Sequence, residues 1–118
     1  MHHLRSFVTE DECCAILGGY EAPKTDGCIF DLGEDRINAA KSVARRAFRH
    51  TAIDLSEELS IRALAYGLEG SMSPHVDASV GKKPKFVAIL SFGAACDFYA
   101  DGTLLDLRSS DVLVFDAA

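Results

Sequence analysis

The sequence of 118 residues lacks the features that mark several large classes of protein. No apolar run approaches the roughly 20 residues that a membrane-spanning helix needs, and the first residues lack the apolar core of a signal peptide. Basic residues are not in excess either: the net charge is −6, whereas proteins that bind phosphate backbones tightly usually carry a basic footprint. We therefore expect no membrane partner, and no tight non-specific binding of nucleic acid unless charge is segregated.

A Cys-x-x-Cys pair is also missing, although the chain has four cysteines: Cys13, Cys14, Cys28 and Cys96. Two adjacent cysteines are poorly placed for a structural disulfide or a zinc site. We expect reduced and mostly buried thiols, which is typical of a cytoplasmic or nuclear protein. The sequence assigns no role to His2 and His3, which directly follow the first methionine.

The composition indicates a folded domain. Hydrophobic residues make up 48% of the chain and charged residues 25%, which is typical of soluble globular proteins and not of disordered ones. No repeat and no linker rich in Pro, Gly or Ser divides the sequence. We predict a single domain over residues 1–118, with a helical N-terminal portion at 1–58 and strands over 59–118.

Two helices are predicted in the N-terminal portion. Thr9 is an N-cap candidate and Glu12, three residues later, completes a capping box, which predicts a helix over 10–17 that two glycines end. A second helix is predicted over 33–49, because its acidic first turn and basic last turn complement the helix dipole. Its core-facing stripe has helical spacing and consists of Ile37, Ala40, Ala44, Ala47 and Phe48.

The second half of the chain predicts short antiparallel strands. They are expected over 59–66, 85–92, 97–99, 104–107 and 111–115. Apolar residues on both faces of 85–92 indicate a strand that is buried on both sides, and Asp101-Gly102 predicts a tight hairpin turn. This pattern predicts an α+β fold, in which the helices pack on one sheet of a sandwich or jelly roll.

His75 and Asp77 form the pair with the clearest chemical meaning. On a strand, residues i and i+2 point to the same face, so both side chains can reach one metal ion. Two histidines and one carboxylate on one face of an octahedron bind iron in non-haem oxygenases and leave positions open for a co-substrate. Taken alone, the pair more often belongs to an exposed turn with a His–Asp hydrogen bond.

The sequence around this pair resembles the AlkB-like dioxygenases. In that family a tyrosine ends one strand, a turn with glycine follows, and Pro-His-x-Asp opens the next strand; here these are Tyr66, 67–70 and 74–77. Residues 88–93 (AILSFG), 96–98 (CDF) and 105–115 (LDLRSSDVLVF) resemble the family's following strands in the same order. Residues 4–9 resemble the strand and helix that open many members.

The resemblance implies a double-stranded β-helix, or jelly roll, that uses Fe(II), 2-oxoglutarate and dioxygen to hydroxylate or demethylate a substrate. It makes His75 and Asp77 iron ligands and catalytic residues, and Tyr66 a hydrogen-bond partner of 2-oxoglutarate. An aromatic residue that simply ends a strand is an equally common explanation of Tyr66. The family's third ligand, a histidine, and its 2-oxoglutarate-binding arginine would lie beyond Ala118. We expect a chain that ends there to bind iron weakly and to be poorly active.

Two departures from the family pattern stand in or next to the matched segments. Leu64 replaces a frequent asparagine, and Ser110 replaces the glycine of a Ser-Gly-Asp turn.

The resemblance leaves the substrate open. AlkB-like proteins act on alkylated bases in DNA or RNA, and some act on proteins. Lys82, Lys83 and Lys85 follow the iron motif; a solvated loop is the favoured explanation over phosphate contacts. The acidic net charge favours RNA, protein or a small substrate over duplex DNA.

Three other interpretations stay open. The chain is alternatively a non-catalytic cupin-like binding module, or a hydroxylase from another 2-oxoglutarate oxygenase family. It is also compatible with a fragment that forms a homodimer through exposed strand edges.

Overall fold

The computed structural model of the protein describes residues 1–19, 28–53, 59–65, 86–93, 95–100 and 103–116. Over these ranges the chain has an α+β fold with two helices and seven short strands. In chain order the elements are β1 (His2–Leu4), α1 (Glu10–Leu17), β2 (Cys28–Phe30), α2 (Glu34–His50), β3 (Ala63–Ala65), β4 (Phe86–Leu90), β5 (Cys96–Ala100), β6 (Thr103–Leu107) and β7 (Val112–Asp116). Neither helix in this part of the chain is long and apolar enough to cross a membrane.

Strand β7 is the centre of a three-stranded antiparallel sheet with the order β1–β7–β4. Its residue Val114 pairs with His2 on one side and with Ala88 on the other. Strands β2 and β3 form a second antiparallel pair, and β5 and β6 form a third. The first strand of the chain is therefore held by the last described strand.

Helix α2 covers one face of this sheet. Val112 and Val114 of β7 belong to the same core cluster as the buried residues of the helix, which are Ala40, Val43, Ala44, Ala47 and Phe48. Most of these are alanines, so little side-chain volume separates the helix from the sheet. The predicted stripe is confirmed except at Ile37, which is only partly buried; Val43 lies in the core instead.

The opposite face of β7 is covered as well. Leu113 is fully buried, and the Phe115 ring lies 6.3 Å, centre to centre, from the ring of Phe98 in β5. The sequence predicted burial on both sides for 85–92, but the residues of β4 are half-buried. The doubly covered strand is β7, whose uninterrupted apolar run is typical of such a position.

Helix α1 begins as predicted, with a capping box. Thr9 Oγ1 accepts a hydrogen bond from the N–H of Glu12, and Glu12 Oε1 accepts one from the N–H of Thr9. The helix ends at Gly18, where the N–H donates to the carbonyl of Cys14 and an added Cβ would lie 2.5 Å from that oxygen. No residue larger than glycine fits there without a shift of the backbone.

Two arginines of α2 hold the ends of α1. Arg36 donates to the carbonyls of Ile16 at 3.0 Å and of Gly18 at 2.9 Å, which are among the groups that a helix C-terminus leaves without partners. Arg46 donates to the carbonyl of Phe7 at 3.0 Å and forms an ion pair with Glu12. Together they fix the angle at which the two helices meet.

The pKa of Glu12 reflects this position. Partial burial raises it, but hydrogen bonds from Thr9 and the positive charge of Arg46 outweigh burial, so the pKa lies below the ordinary value of a glutamate. The carboxylate is consequently ionised at neutral pH and contributes to both the cap and the ion pair.

The predictions for the strands and the cysteines were confirmed only in part. Strands β4 to β7 lie within two residues of their expected bounds, whereas of 59–66 only Ala63–Ala65 is a strand among the described residues. Strand β1 lies at His2–Leu4 and so meets the opening strand that the resemblance implied only at Leu4, and β2 was not predicted; both place β structure within 1–58. The prediction of mostly buried thiols is wrong for the cysteines whose side chains are described: Cys13 is half-buried, and Cys14 and Cys96 are exposed and free.

Candidate functional site

The three residues to which the resemblance assigns a role lie outside the described residues. They are Tyr66, His75 and Asp77. Their neighbours along the chain are described: β3 ends at Ala65, directly before Tyr66, and β4 begins at Phe86. The predicted ligands thus belong to the segment that connects these two strands.

The register of the sheet shows where that segment joins the fold. Phe86, the first residue of β4, pairs with Asp116, the last residue of β7. Because the two strands are antiparallel, the chain enters β4 at the same end of the sheet at which it leaves β7. The chain before Phe86 and the chain after Asp116 therefore both join the sheet at this end.

The other end of these strands carries a buried carboxylate that the sequence did not single out. Asp111 is 1% exposed. Its Oδ1 accepts the N–H of Ser6 at 2.9 Å, and its Oδ2 accepts the N–H of Arg108 at 3.0 Å. Nε2 of His3 lies 2.9 Å from Oδ2, and Nη1 of Arg5 lies 3.3 Å from it. Four donors thus surround one ionised group.

These donors decide the charge state of Asp111. Burial raises the pKa of the carboxyl group, as it does for any acid removed from water. The backbone hydrogen bonds from Ser6 and Arg108 and the interaction with His3 outweigh burial, so the pKa lies below the ordinary value of an aspartate. Asp111 is therefore an ionised, fully partnered structural residue.

Asp111 also closes the turn between β6 and β7. Its N–H donates to the carbonyl of Arg108 at 3.0 Å. Ser110 has a φ of 73°, in the left-handed region that favours glycine. The departure from the Ser-Gly-Asp pattern therefore puts a serine where the backbone geometry suits glycine.

Two of the family-like segments meet at this turn. The N–H of Ser110 donates to the carbonyl of Ser91 at 2.8 Å, and the N–H of Ser91 donates to the carbonyl of Asp111 at 3.1 Å. The N–H of Gly93 donates to Oγ of Ser109 at 3.2 Å. Residues 91–93 and 109–111, which the resemblance treats as separate motifs, form one hydrogen-bonded unit.

Over the described ranges, no three His, Cys, Asp or Glu side chains are placed to hold one metal ion. His3 and Asp111 approach each other, but backbone and arginine donors occupy the same carboxylate. His3 and Arg5 were missed because their partner lies more than 100 residues away along the chain, and no local pattern indicates such a contact.

Comparison with known proteins gave no match: no family model, no curated protein and no solved structure is significantly similar to this chain.

Proposed function

We propose that this protein is an iron(II)- and 2-oxoglutarate-dependent dioxygenase of the AlkB-like type, built on a jelly roll. In this proposal His75 and Asp77 bind iron and Tyr66 contacts 2-oxoglutarate. The substrate is an alkylated RNA, DNA or a protein. The observation that carries the proposal is the ordered series of family-like segments from Tyr66 to Phe115.

The fold supports this order in one respect. Residues 91–93 and 109–111 are bonded to each other, and β4 and β7, which flank them, are neighbours in one sheet. This contact is compatible with the order of the family-like segments.

The end of the sheet at which β4 begins supports the proposal in a second respect. In the resemblance, two ligands precede β4 and the third follows β7. Because Phe86 pairs with Asp116, both positions attach to the same edge of the sheet. This register is compatible with ligands contributed by both segments.

The donor chemistry fits Fe(II). A neutral imidazole nitrogen and a carboxylate oxygen are ligands that non-haem iron accepts in the facial arrangement with open positions. His75 and Asp77 would hold the metal, and the Tyr66 hydroxyl would donate a hydrogen bond to a carboxylate oxygen of 2-oxoglutarate. Bound iron would supply the oxidation of a C–H bond of the substrate, with dioxygen as the oxidant and 2-oxoglutarate as the co-substrate that is oxidised alongside.

The test is an anaerobic titration with Fe(II), with and without 2-oxoglutarate, followed by calorimetry and by the visible charge-transfer band. His75→Ala and Asp77→Ala are each expected to weaken iron binding by at least about tenfold, because each removes a direct ligand. Tyr66→Phe is expected to leave the affinity for iron unchanged and to lower the affinity for 2-oxoglutarate, because it removes only a hydrogen bond to that co-substrate.

Matched controls are available in the described part of the chain. His2→Ala and Asp11→Asn change an exposed histidine and an exposed aspartate and are expected to leave the titration unchanged. Since the third ligand of the resemblance follows β7, the titration is run on the 118-residue chain and on one that continues past Ala118. Iron binding by the longer chain that survives both ligand variants would refute the proposal, and absence of any iron binding there would favour a cupin-like binding module.

A further inference from the structure

The β5–β6 hairpin has one face toward the core and one toward solvent. Phe98 contacts Phe115 on the core side, so the neighbouring positions in β5 point the other way. Tyr99 pairs with Leu104, and Asp97 pairs with Asp106. We call these four residues, Asp97, Tyr99, Leu104 and Asp106, the outer face of the hairpin.

The apolar half of the outer face is unusually open to water. Tyr99 is 67% exposed and Leu104 is 53% exposed. The remaining large hydrophobic residue of comparable exposure in the described ranges is Met1, at the chain terminus. Directly opposed residues on antiparallel strands have Cβ atoms about 5 Å apart, so Tyr99 and Leu104 form one apolar patch. This patch is bordered by the charged residues of the same face.

The polar half of the outer face is acidic. Asp97 and Asp106 are directly opposed, an arrangement of like charges that destabilises a strand pair. Nε of Arg108 lies 3.0 Å from Asp106, but the two side chains are 69% and 46% exposed, so the pair is weak. Asp97 makes no hydrogen bond or ion pair with a described residue.

The neighbouring thiol responds to this negative charge. Partial burial raises the pKa of Cys96, a hydrogen bond from Ser91 lowers it, and the two carboxylates Asp97 and Asp106 raise it further. The edge of the hairpin therefore has a negative potential that a cationic group would relieve.

We propose that the outer face of the hairpin binds an arginine-containing peptide segment of a protein partner. Asp97 and Tyr99 lie two residues apart on one strand, so they present a carboxylate and an aromatic ring on the same face. A guanidinium is planar and can stack on the ring while it pairs with the carboxylate. An aliphatic neighbour in the peptide would contact Leu104.

Charge disfavours two other occupants of this surface. A second copy of the chain would bring its own acidic pair and a net charge of −6 against Asp97 and Asp106. The phosphates of a nucleic acid would be repelled in the same way. The inference does not depend on the iron site, because it uses only described residues of β5 and β6.

The test is fluorescence anisotropy of a labelled peptide of alternating arginine and leucine, with the full chain free of iron. Asp97→Asn is expected to weaken binding about threefold to fivefold, and Tyr99→Ser about tenfold. Asp11→Asn removes the same charge from an exposed site on α1 and is expected to change nothing. Replacing the arginines of the peptide with lysine is expected to weaken binding, because lysine lacks the planar stack.

Several results would overturn the inference. Equal weakening by Asp97→Asn and Asp11→Asn would mean general attraction between opposite charges, and absence of binding would remove the surface altogether. A single-stranded RNA oligonucleotide that binds in a Tyr99-dependent way would assign the face to nucleic acid. A dimer in sedimentation that Tyr99→Ser dissociates would assign it to a second copy. Circular dichroism establishes that each variant is folded.

Discussion

Asp111→Asn is the substitution whose effect the structure determines most directly. The amide keeps an acceptor for the N–H of Ser6, but its nitrogen replaces Oδ2, to which Arg108 and His3 donate. Each hydrogen bond to a charged group contributes about 1.5 kcal/mol or more. Losing two of them predicts a fall of about 3 kcal/mol in the free energy of unfolding, a large part of the 5–15 kcal/mol or so typical of a domain.

The pH dependence of this effect has a definite sign. The pKa of Asp111 is lower in the folded protein than in the unfolded chain, so its contribution is complete above the unfolded pKa of about 3.9. It is lost as the pH falls through the lower, folded pKa. The difference between wild type and Asp111→Asn is therefore expected to shrink below about pH 4.

The assay is urea unfolding of both proteins across this pH range, followed by circular dichroism. Glu12 has a lowered pKa as well, but it is present in both proteins and cancels in the difference. The matched control is Asp106→Asn, which removes an exposed carboxylate paired with Arg108 and is expected to cost less than about 0.5 kcal/mol. A variant as stable as wild type at pH 7, or a difference unchanged at pH 3, would refute the reasoning.

Two further stability predictions follow from the same structure. Ser110→Gly is expected to raise the free energy of unfolding by about 0.5 kcal/mol, because Ser110 has a φ of 73° that glycine adopts without strain. A lowered melting temperature would show that the contact of Ser110 Oγ with Cys13 Sγ at 3.3 Å stabilises the fold by more than the strain costs. Arg36→Met is expected to cost about 1–2 kcal/mol, because the carbonyls of Ile16 and Gly18 lose their donors; Arg45→Met, on an exposed position of the same helix, is the control and is expected to cost almost nothing.

Local patterns account for what the sequence predicted well. The capping box of Thr9 and Glu12 depends on residues three positions apart, and the apolar stripe of α2 depends on residues three or four positions apart. Both are present. The strands β4 to β7 carry enough apolar residues to be recognised within a few positions. In each case the residues that indicate the helix or strand lie within that same helix or strand.

Contacts between distant parts of the chain account for what was missed. β1 is a strand because His2 to Leu4 pair with β7, and nothing in a three-residue segment containing two histidines indicates that partner. Likewise, His3 and Arg5 gain a role only through Asp111. The roles of His75, Asp77 and Tyr66 stay predictions, because these residues lie outside the described ranges.

The resemblance includes both Asp111 and the predicted iron ligands, but Asp111 lies far from the point where the ligand segment joins the sheet. Asp111 precedes Val112, which pairs with Leu90, whereas the segment of the predicted ligands joins the sheet where Phe86 pairs with Asp116. Four to five residues of strand, about 15 Å, lie between these ends. The Asp111 hydrogen bonds therefore hold the end of the sheet opposite to the one at which the chain before Phe86 joins it. Asp111→Asn is accordingly expected to lower stability without changing iron affinity in the folded protein, and the ligand variants are expected to do the reverse. If Asp111→Asn abolished iron binding while the sheet stayed folded, Asp111 would belong to the iron site and would not have a purely structural role.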